Sequence, residues 1–149
     1  MSRIGHLARR FRGACSSAAP PAADDDWAVR RLTAAEAGLW WEMMHQDRRH
    51  SVEVARRFIE RLPDAPRAAV AAALLHDVGK SDSRLGVWAR VATTVLGPRT
   101  ARWHRYHDHE RIGVAMLRTA GSDPLTIALV DGTSTDQRLA DALRAADDI

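Results

Sequence analysis

Helix signals run through the chain from Leu32 to its end, and they constrain the fold more than any other feature. Apolar residues recur at the three- and four-residue spacing of helices with one buried face, for example at Leu85, Trp88, Val91 and Val95. Strand-like alternation of polar and apolar residues is absent. With 149 residues, the chain has the length of one ordinary domain. We therefore predict an all-α fold, a compact bundle of about six or seven helices.

Capping residues and helix breakers mark the ends of the predicted helices. Thr33 and Glu36 form a capping-box pattern, and Asp47 is placed to cap the helix in RRHSVEVARRFIERL. Pro66 is placed to open an alanine-rich helix, and Gly79 to follow the end of that helix. Later helices are predicted in SRLGVWARVATTVL, in HERIGVAMLRTA up to Gly121, from Asp123-Pro124, and in DQRLADALRAADDI.

The first 26 residues differ in composition from the rest of the chain. They combine arginines and small residues with a Pro-Pro pair and three aspartates, which is typical of segments without a packed core. We predict that residues 1–26 form a disordered, arginine-rich tail and that residues 27–149 form the helical domain. No apolar run approaches the roughly 18 residues that cross a bilayer, so we expect no transmembrane segment.

Charge and cysteine usage narrow the class of function. The formal charge of +3 comes largely from arginines in the tail, and the other arginines form no basic stripe interleaved with aromatic residues. We therefore expect no dedicated nucleic-acid binding. The single cysteine, Cys15, has no disulfide partner in the chain, which favours a reducing, cytoplasmic location. No serine or cysteine nucleophile is accompanied by a convincing base and orienting acid.

Several histidines and aspartates are predicted to face inward. His50 lies on the apolar stripe of its helix, and His76 and Asp77 occupy the last turn of the alanine-rich helix. Asp147 continues the apolar register of the last helix, with Asp148 as its alternative. A lone inward histidine is usually a hydrogen-bonded core residue. An ionised aspartate in apolar surroundings is costly unless it is paired or bound to a metal, and the combined set suits a divalent cation.

The order of these residues, with HDVGK as its most specific string, resembles the HD domain, an all-helical family of metal-dependent phosphohydrolases. The resemblance covers roughly residues 47–149 and includes RHSVEVARRF around the first histidine and HERIGVAML in a later helix. It implies an HD-domain bundle that binds one divalent metal ion through His50, His76, Asp77 and Asp147. It also implies that Asp77 orients the attacking water. Mn, Fe, Co, Ni and Zn suit these ligands about equally.

Lys80 is the only lysine among the 22 basic residues of the chain. It follows the His-Asp pair, and its compact ammonium group suits a substrate phosphate in a narrow pocket. The alternative is a solvated cation at a helix end. The resemblance also makes His109, His104 and Arg49 candidates for binding a second metal or the substrate. Because no histidine follows His109, we expect a single metal ion.

These observations favour a metal-dependent phosphohydrolase that acts on a small phosphate ester, with a nucleotide as the expected substrate. Asp77 and Lys80 are the candidate catalytic residues, and metal-activated water is the nucleophile. The alternative is a non-catalytic HD module that binds a metal or nucleotide in signalling or as a scaffold. A third interpretation, a tail that binds membranes or nucleic acids, predicts loss of function when the tail is deleted. The sequence leaves the oligomeric state open.

Overall fold

The computed structural model describes residues 18–80 and 107–148, without the side chains of 107–110. These residues form seven α-helices and no strand, which confirms the predicted all-α bundle. The helices are α1 (Ala22–Val29), α2 (Ala34–Glu42), α3 (His45–Arg61), α4 (Arg67–Leu75), α5 (His107–Thr119), α6 (Pro124–Val130) and α7 (Gln137–Asp147), and a 3-10 turn (Val78–Lys80) follows α4. The helix predicted in SRLGVWARVATTVL lies outside the described residues. None of the helices described is long and apolar enough to span a membrane.

Helix α4 lies in the centre of the bundle. All of its residues from 68 to 75 are buried, as expected for a helix that is apolar on every side. Both α3 and α6 pack against α4, and its alanines allow a close approach. The buried hydroxyl of Thr126 in α6 donates a hydrogen bond to the carbonyl of Ala68, at 2.8 Å. This contact satisfies a polar group that would otherwise be costly in the core.

Several predicted helix ends are confirmed. The Thr33 hydroxyl accepts a hydrogen bond from the Glu36 amide, and the Glu36 carboxylate accepts one from the Thr33 amide. Asp123 caps α6 through a hydrogen bond from the amide of Leu125. Gly121 follows α5 with a φ of 67°, a conformation that favours glycine after a helix.

The start of α3 differs from the prediction. The helix begins at His45 with Met44 as its N-cap, so Asp47 lies in the first turn and does not cap the helix. Met43 is the C-cap of α2, with an extended backbone conformation and a buried side chain. Because only Met44 separates this residue from α3, α3 starts earlier than its capping pattern suggested.

The end of α4 also differs from the prediction. The helix ends at Leu75, so His76 and Asp77 lie in the turn that follows it and not in its last helical turn. The side chain of His76 turns back to the carbonyl of Ala73, a group in the last turn that has no partner within the helix. The chain then tightens into the 3-10 turn, which contains Gly79.

Helix α1 begins at Ala22, within the segment that the sequence analysis assigned to the tail. Asp25 of α1 is buried, and its Oδ1 atom accepts a hydrogen bond from Trp40 Nε1 at 3.0 Å. A buried carboxylate that has a partner in the core anchors its helix, which is why α1 belongs to the helical bundle although it begins before Trp27. The remainder of the predicted division between tail and domain stays a prediction.

Two further packing contacts bring distant parts of the chain to the end of α4. Helix α7 packs against α3, and α5 packs against the 3-10 turn. A Cβ atom placed on Gly113 of α5 would lie 3.3 Å from both Gly79 N and Val78 Cγ1. The absence of a side chain at Gly113 therefore permits the close approach of α5 to the turn that follows the His-Asp pair.

Candidate metal centre

Three side chains with metal-binding atoms meet where α3, α7 and the end of α4 converge. His50, His76 and Asp147 each offer one ligand atom, and these atoms all lie within 4.8 Å of one another. His50 Nε2 is 2.9 Å from Asp147 Oδ1, and His76 Nε2 is 3.5 Å from the same oxygen. The two imidazole rings meet edge to face, with their centroids 5.6 Å apart. The fold thus joins residues that are 97 positions apart in the chain.

His76 directs its Nε2 atom towards this cluster. Its Nδ1 atom lies 2.9 Å from the carbonyl oxygen of Ala73, and because a carbonyl only accepts, Nδ1 carries the hydrogen and donates it. Nε2 is buried and has no hydrogen-bond partner among the described residues. The nearest carboxylate oxygens, on Asp77 and Asp147, are both 3.5 Å away, beyond ordinary hydrogen-bond length.

This donor set fits a divalent metal ion. A buried acceptor without a partner is unfavourable, and a cation on Nε2 of His76 would satisfy it. Metal-bound histidines commonly donate their other ring N–H to a carbonyl or carboxylate, as His76 does to Ala73. Two imidazoles and a carboxylate are ligands that suit first-row transition metals. His50, His76 and Asp147 are therefore the residues that could hold the metal.

Asp77 and Lys80 form an ion pair beside the cluster. Lys80 Nζ lies 2.7 Å from Asp77 Oδ1, and the same oxygen is 3.5 Å from His76 Nε2. Asp77 is therefore adjacent to the three clustered ligand atoms but is not one of them in this arrangement. Burial would lower the pKa of Lys80, but the hydrogen bond and charge of Asp77 outweigh burial and raise it. The ammonium group is consequently charged at neutral pH.

The exposure of the side chains distinguishes a closed side from an open side of the site. The side chains of Asp77 and His76 are 9% and 13% exposed, whereas those of His50, Asp147 and Lys80 are 34%, 46% and 56% exposed. Asp77 and His76 therefore face the protein core. A small ligand could approach from the side of the other three residues.

Asp147, and not Asp148, faces the histidines. The hydrogen bond from His50, followed by the interaction with the nearby His76 imidazole, holds the pKa of Asp147 far below its ordinary value, against the opposing effect of burial. Asp148 is exposed and forms the C-cap of α7. The apolar register of the last helix also favours Asp147 over Asp148, and the role of Asp147 as a metal ligand stays a prediction.

Asp47, which the sequence pattern predicts to be a helix cap, is a further carboxylate near the site. Burial, followed by the negative charge of Asp77, raises its pKa, while Lys80, His50 and His76 act in the opposite direction. Asp47 is therefore electrostatically coupled to the site. Its position three residues before His50 was the available signal, because residues at this spacing share a helix face.

For the remaining candidate residues, the described part of the chain gives only some of their contacts. His109 lies in α5, but its side chain is outside the description, as is the whole of His104. Arg49 lies beside His50 in α3, and its guanidinium donates a hydrogen bond to the backbone carbonyl of Ala18. The second-metal or substrate roles of these three residues stay predictions.

The helical bundle and its cluster of imidazole and carboxylate groups define an all-α protein with a candidate metal centre. The family model of the HD domain matches residues 47–146, which is more than half of the chain. The protein therefore belongs to the HD domain family. The match includes His50, His76 and Asp77 and ends one residue before Asp147. Searches of curated proteins and of solved structures gave no significant match.

Proposed function

We propose that this protein is a metal-dependent phosphohydrolase that cleaves a small phosphate ester, with a nucleotide as the expected substrate. The observation that carries this proposal is the buried Nε2 atom of His76, which has no partner among the described residues and lies beside His50 and Asp147. Membership of the HD domain family supports the same chemistry. One divalent metal ion is the proposed cofactor.

In this proposal His50, His76 and Asp147 hold the metal, and Asp77 completes the set from the closed side. A bound divalent cation would polarise the phosphoryl group and lower the pKa of water. The carboxylate of Asp77 would orient the attacking water as a hydrogen-bond acceptor. Its ion pair with Lys80 restricts the rotation of the carboxylate, so that the acceptor oxygen has a defined direction.

Lys80 would bind the substrate phosphate from the open side. Its side chain is largely exposed and its pKa is raised, so a charged ammonium group lies there, beside the carboxylate of Asp77. Hydrolysis forms one P–O bond from water and breaks the P–O bond to the leaving group, whose oxygen receives a proton. Lys80 would offset the negative charge of the phosphoryl oxygens during this exchange.

Metal content and hydrolysis, measured on the same preparations, test the proposal. The protein is loaded separately with Mn, Fe, Co, Ni and Zn, analysed by plasma mass spectrometry, and assayed with a panel of nucleotides and an aryl phosphate. We expect about one metal ion per chain and hydrolysis of at least one substrate. Asp147→Asn should lose both properties, whereas Asp148→Asn, the matched control one residue later, should keep both. Asp77→Asn should lose hydrolysis.

The same experiment distinguishes the alternative function. A non-catalytic HD module would bind metal in the unchanged protein and in Asp148→Asn, yet hydrolyse none of the compounds. One observation favours this alternative: Lys80 and Asp77, the two candidate catalytic residues, are paired with each other. Absence of metal after all five reconstitutions would contradict the phosphohydrolase and the metal-binding form of the alternative, and would leave only a module that binds a nucleotide.

We further propose a cytoplasmic location and a helical domain whose metal site does not depend on the N-terminal segment. Deleting residues 1–17, before the first described residue, should leave metal content and hydrolysis unchanged. Loss of function in this truncated chain would support instead the interpretation in which the arginine-rich segment binds a membrane surface or nucleic acid.

A further inference from the structure

An arginine of α3 contacts the end of α7 directly beside Asp147. The Nε atom of Arg57 donates a hydrogen bond to the backbone carbonyl of Ala146, at 2.8 Å. Carbonyl groups in the last turn of a helix lack partners within that helix, and a positive charge is favourable there. Arg57 therefore fastens the last turn of α7 to α3 through a charged hydrogen bond.

The position of Arg57 along α3 relates this contact to the candidate metal centre. Arg57 follows His50 by seven residues, two helical turns later on the same face. His50 contacts the side chain of Asp147, whereas Arg57 contacts the main chain of the preceding residue, Ala146. Two contacts from one rigid helix restrict both the position and the orientation of the last turn of α7.

The other donors of Arg57 indicate that the contact does more than stabilise the fold. Its Nη1 atom is 3.9 Å from the carboxylate of Glu53, and its Nη2 atom is buried without a hydrogen-bond partner among the described residues. A buried donor that lacks a partner reduces the stability gained from burying the guanidinium group. Because this unpaired donor lowers the stability gained, we infer that Arg57 has a role other than stabilising the fold.

We propose that Arg57 is a positioning residue, which holds Asp147 against His50 in the orientation needed to bind a metal ion. The inference rests on the proposed metal-binding role of Asp147. Arg57 itself contacts neither metal nor substrate. It acts through the backbone at Ala146, in the way that hydrogen bonds behind metal ligands commonly orient those ligands.

Metal affinity in Arg57 variants tests this role. Co²⁺ binding is followed by calorimetry and by its visible spectrum in the unchanged protein, Arg57→Gln and Arg57→Lys. We expect about 10- to 100-fold weaker binding and an altered spectrum in Arg57→Gln. Arg57→Lys should recover part of the affinity, because it keeps a charged donor that can reach the same carbonyl.

Arg138→Gln is the matched control. Arg138 also links α7 to another part of the bundle, through a hydrogen bond of 2.7 Å to Asp64, but it lies at the opposite end of α7 from Asp147. Its removal should change Co²⁺ affinity by less than about twofold, because the contact is exposed. Equal losses in Arg57→Gln and Arg138→Gln would overturn the proposal and indicate a general effect on the packing of α7.

A metal-free measurement separates this inference from the proposed function. Long-range ¹H–¹⁵N spectra report the environment of the His50 ring nitrogens, and the Nε2 signal should shift in Arg57→Gln and remain in place in Arg138→Gln. If the unchanged protein binds no metal, the proposed function fails, while the His50 signal still decides the role of Arg57. Unchanged His50 signals in a folded Arg57→Gln protein would refute the positioning role. If Arg57→Gln does not fold, Arg57→Lys provides the comparison with a smaller expected shift of the Nε2 signal, because lysine restores only part of the contact, and an unchanged signal there would refute the role.

Discussion

At the residue scale, His76 shows how a contact on one ring nitrogen determines the chemistry of the other. The bond from Nδ1 to Ala73 leaves Nε2 as the atom that can bind either a proton or a metal ion. Burial would lower the pKa of His76, but the neighbouring carboxylates of Asp147 and Asp77 outweigh burial and raise it above 6.5. A proton and a metal ion therefore compete for the same lone pair as the pH falls through this raised pKa.

We predict that metal affinity rises with pH through the raised pKa of His76. Below this pKa, Nε2 carries a proton that the metal must displace, and above it the lone pair is available, so binding at lower pH releases more protons. Calorimetric titration in two buffers with different ionisation enthalpies measures that release. An equal release on the acid and alkaline sides of this pKa would contradict the prediction.

The same pKa shifts determine the stability of the metal-free protein. A raised pKa in the folded state adds stability below the unfolded value of 6.5 for His76, and this contribution is lost as pH rises through the folded value. The lowered pKa of Asp147 adds stability above its ordinary value of 3.8, which is lost as pH falls towards the folded value. The interaction between these two residues therefore contributes most between pH 3.8 and 6.5.

At the scale of elements, polar contacts help to attach α1 to the bundle, beside the apolar packing of Trp27, Ala28 and Val29. Asp25 accepts a hydrogen bond from Trp40 and lies 3.6 Å from the guanidinium of the buried Arg48. Asp24 pairs with Arg56 at 2.5 Å, and the same guanidinium lies over the ring of Trp27. These charged contacts with α2 and α3 therefore add to the apolar packing of a short helix.

We predict that Asp25→Ala lowers the free energy of unfolding by about 3 kcal/mol, because it leaves the buried Arg48 guanidinium without its nearest carboxylate. Asp26→Ala is the matched control, since Asp26 is exposed on the same helix and its loss should change stability by less than about 0.5 kcal/mol. Urea denaturation measures both changes. Similar values for the two variants would show that the Asp25 contacts contribute little.

The packing of α5 on the 3-10 turn depends on a glycine. A Cβ atom at Gly113 would approach backbone and side-chain atoms to 3.3 Å. The backbone of the turn that precedes Lys80 cannot move away without shifting the residues beside the candidate metal centre. Gly38 in α2 provides a contrast, because a Cβ atom there has no neighbour within 4 Å.

We predict that Gly38→Ala raises the free energy of unfolding by about 0.5 to 1 kcal/mol, because alanine favours a helix interior over glycine. Gly113→Ala should be less favourable than Gly38→Ala by at least about 1 kcal/mol, since the added methyl group crowds the turn. Denaturation curves of the two single variants provide the comparison. Equal stabilisation would show that α5 and the turn can separate without cost.

At the scale of the whole molecule, the candidate metal centre connects parts of the chain that are far apart in sequence. His50 comes from α3, His76 from the end of α4 and Asp147 from the last turn of α7. A metal ion on these groups would hold the three elements together. Metal binding in the proposed site is therefore expected to stabilise the complete fold as well as to activate water.

We predict that removal of metal by a chelator lowers Tm and that readdition restores it. At a metal concentration of about 100 times Kd, binding contributes roughly 2.7 kcal/mol, which corresponds to a change in Tm of about 5 to 10 °C for a chain of this size. Differential scanning calorimetry measures the change. Asp147→Asn should show no such difference between metal-loaded and chelated samples. A difference of the same size in that variant would place the stabilising metal elsewhere.

Much of this protein follows from local sequence patterns. The helices were predicted from spacing of apolar residues three and four apart, and the Thr33–Glu36 cap from residues within one turn. Asp147 was preferred over Asp148 because a helix repeats its faces regularly. The inward histidines and aspartates were likewise recognised by register, and HDVGK indicated the family that the comparison then established. These features depend on residues that are near neighbours in the chain.

Other features depend on contacts between distant segments, which local patterns do not specify. Two prolines followed by three aspartates are typical of a tail without a packed core. The hydrogen bond between Asp25 and Trp40 in the core shows that α1 belongs to the bundle. The local sequence around Asp47 indicates only a helix cap. Its electrostatic coupling to Lys80 depends on how the helices pack, which the local sequence does not show. The sequence by itself determined the helices after α1 and the types of ligand. Tertiary structure decided which atoms meet, because the distance between His50 and Asp147 depends on how α3 and α7 pack across 97 residues.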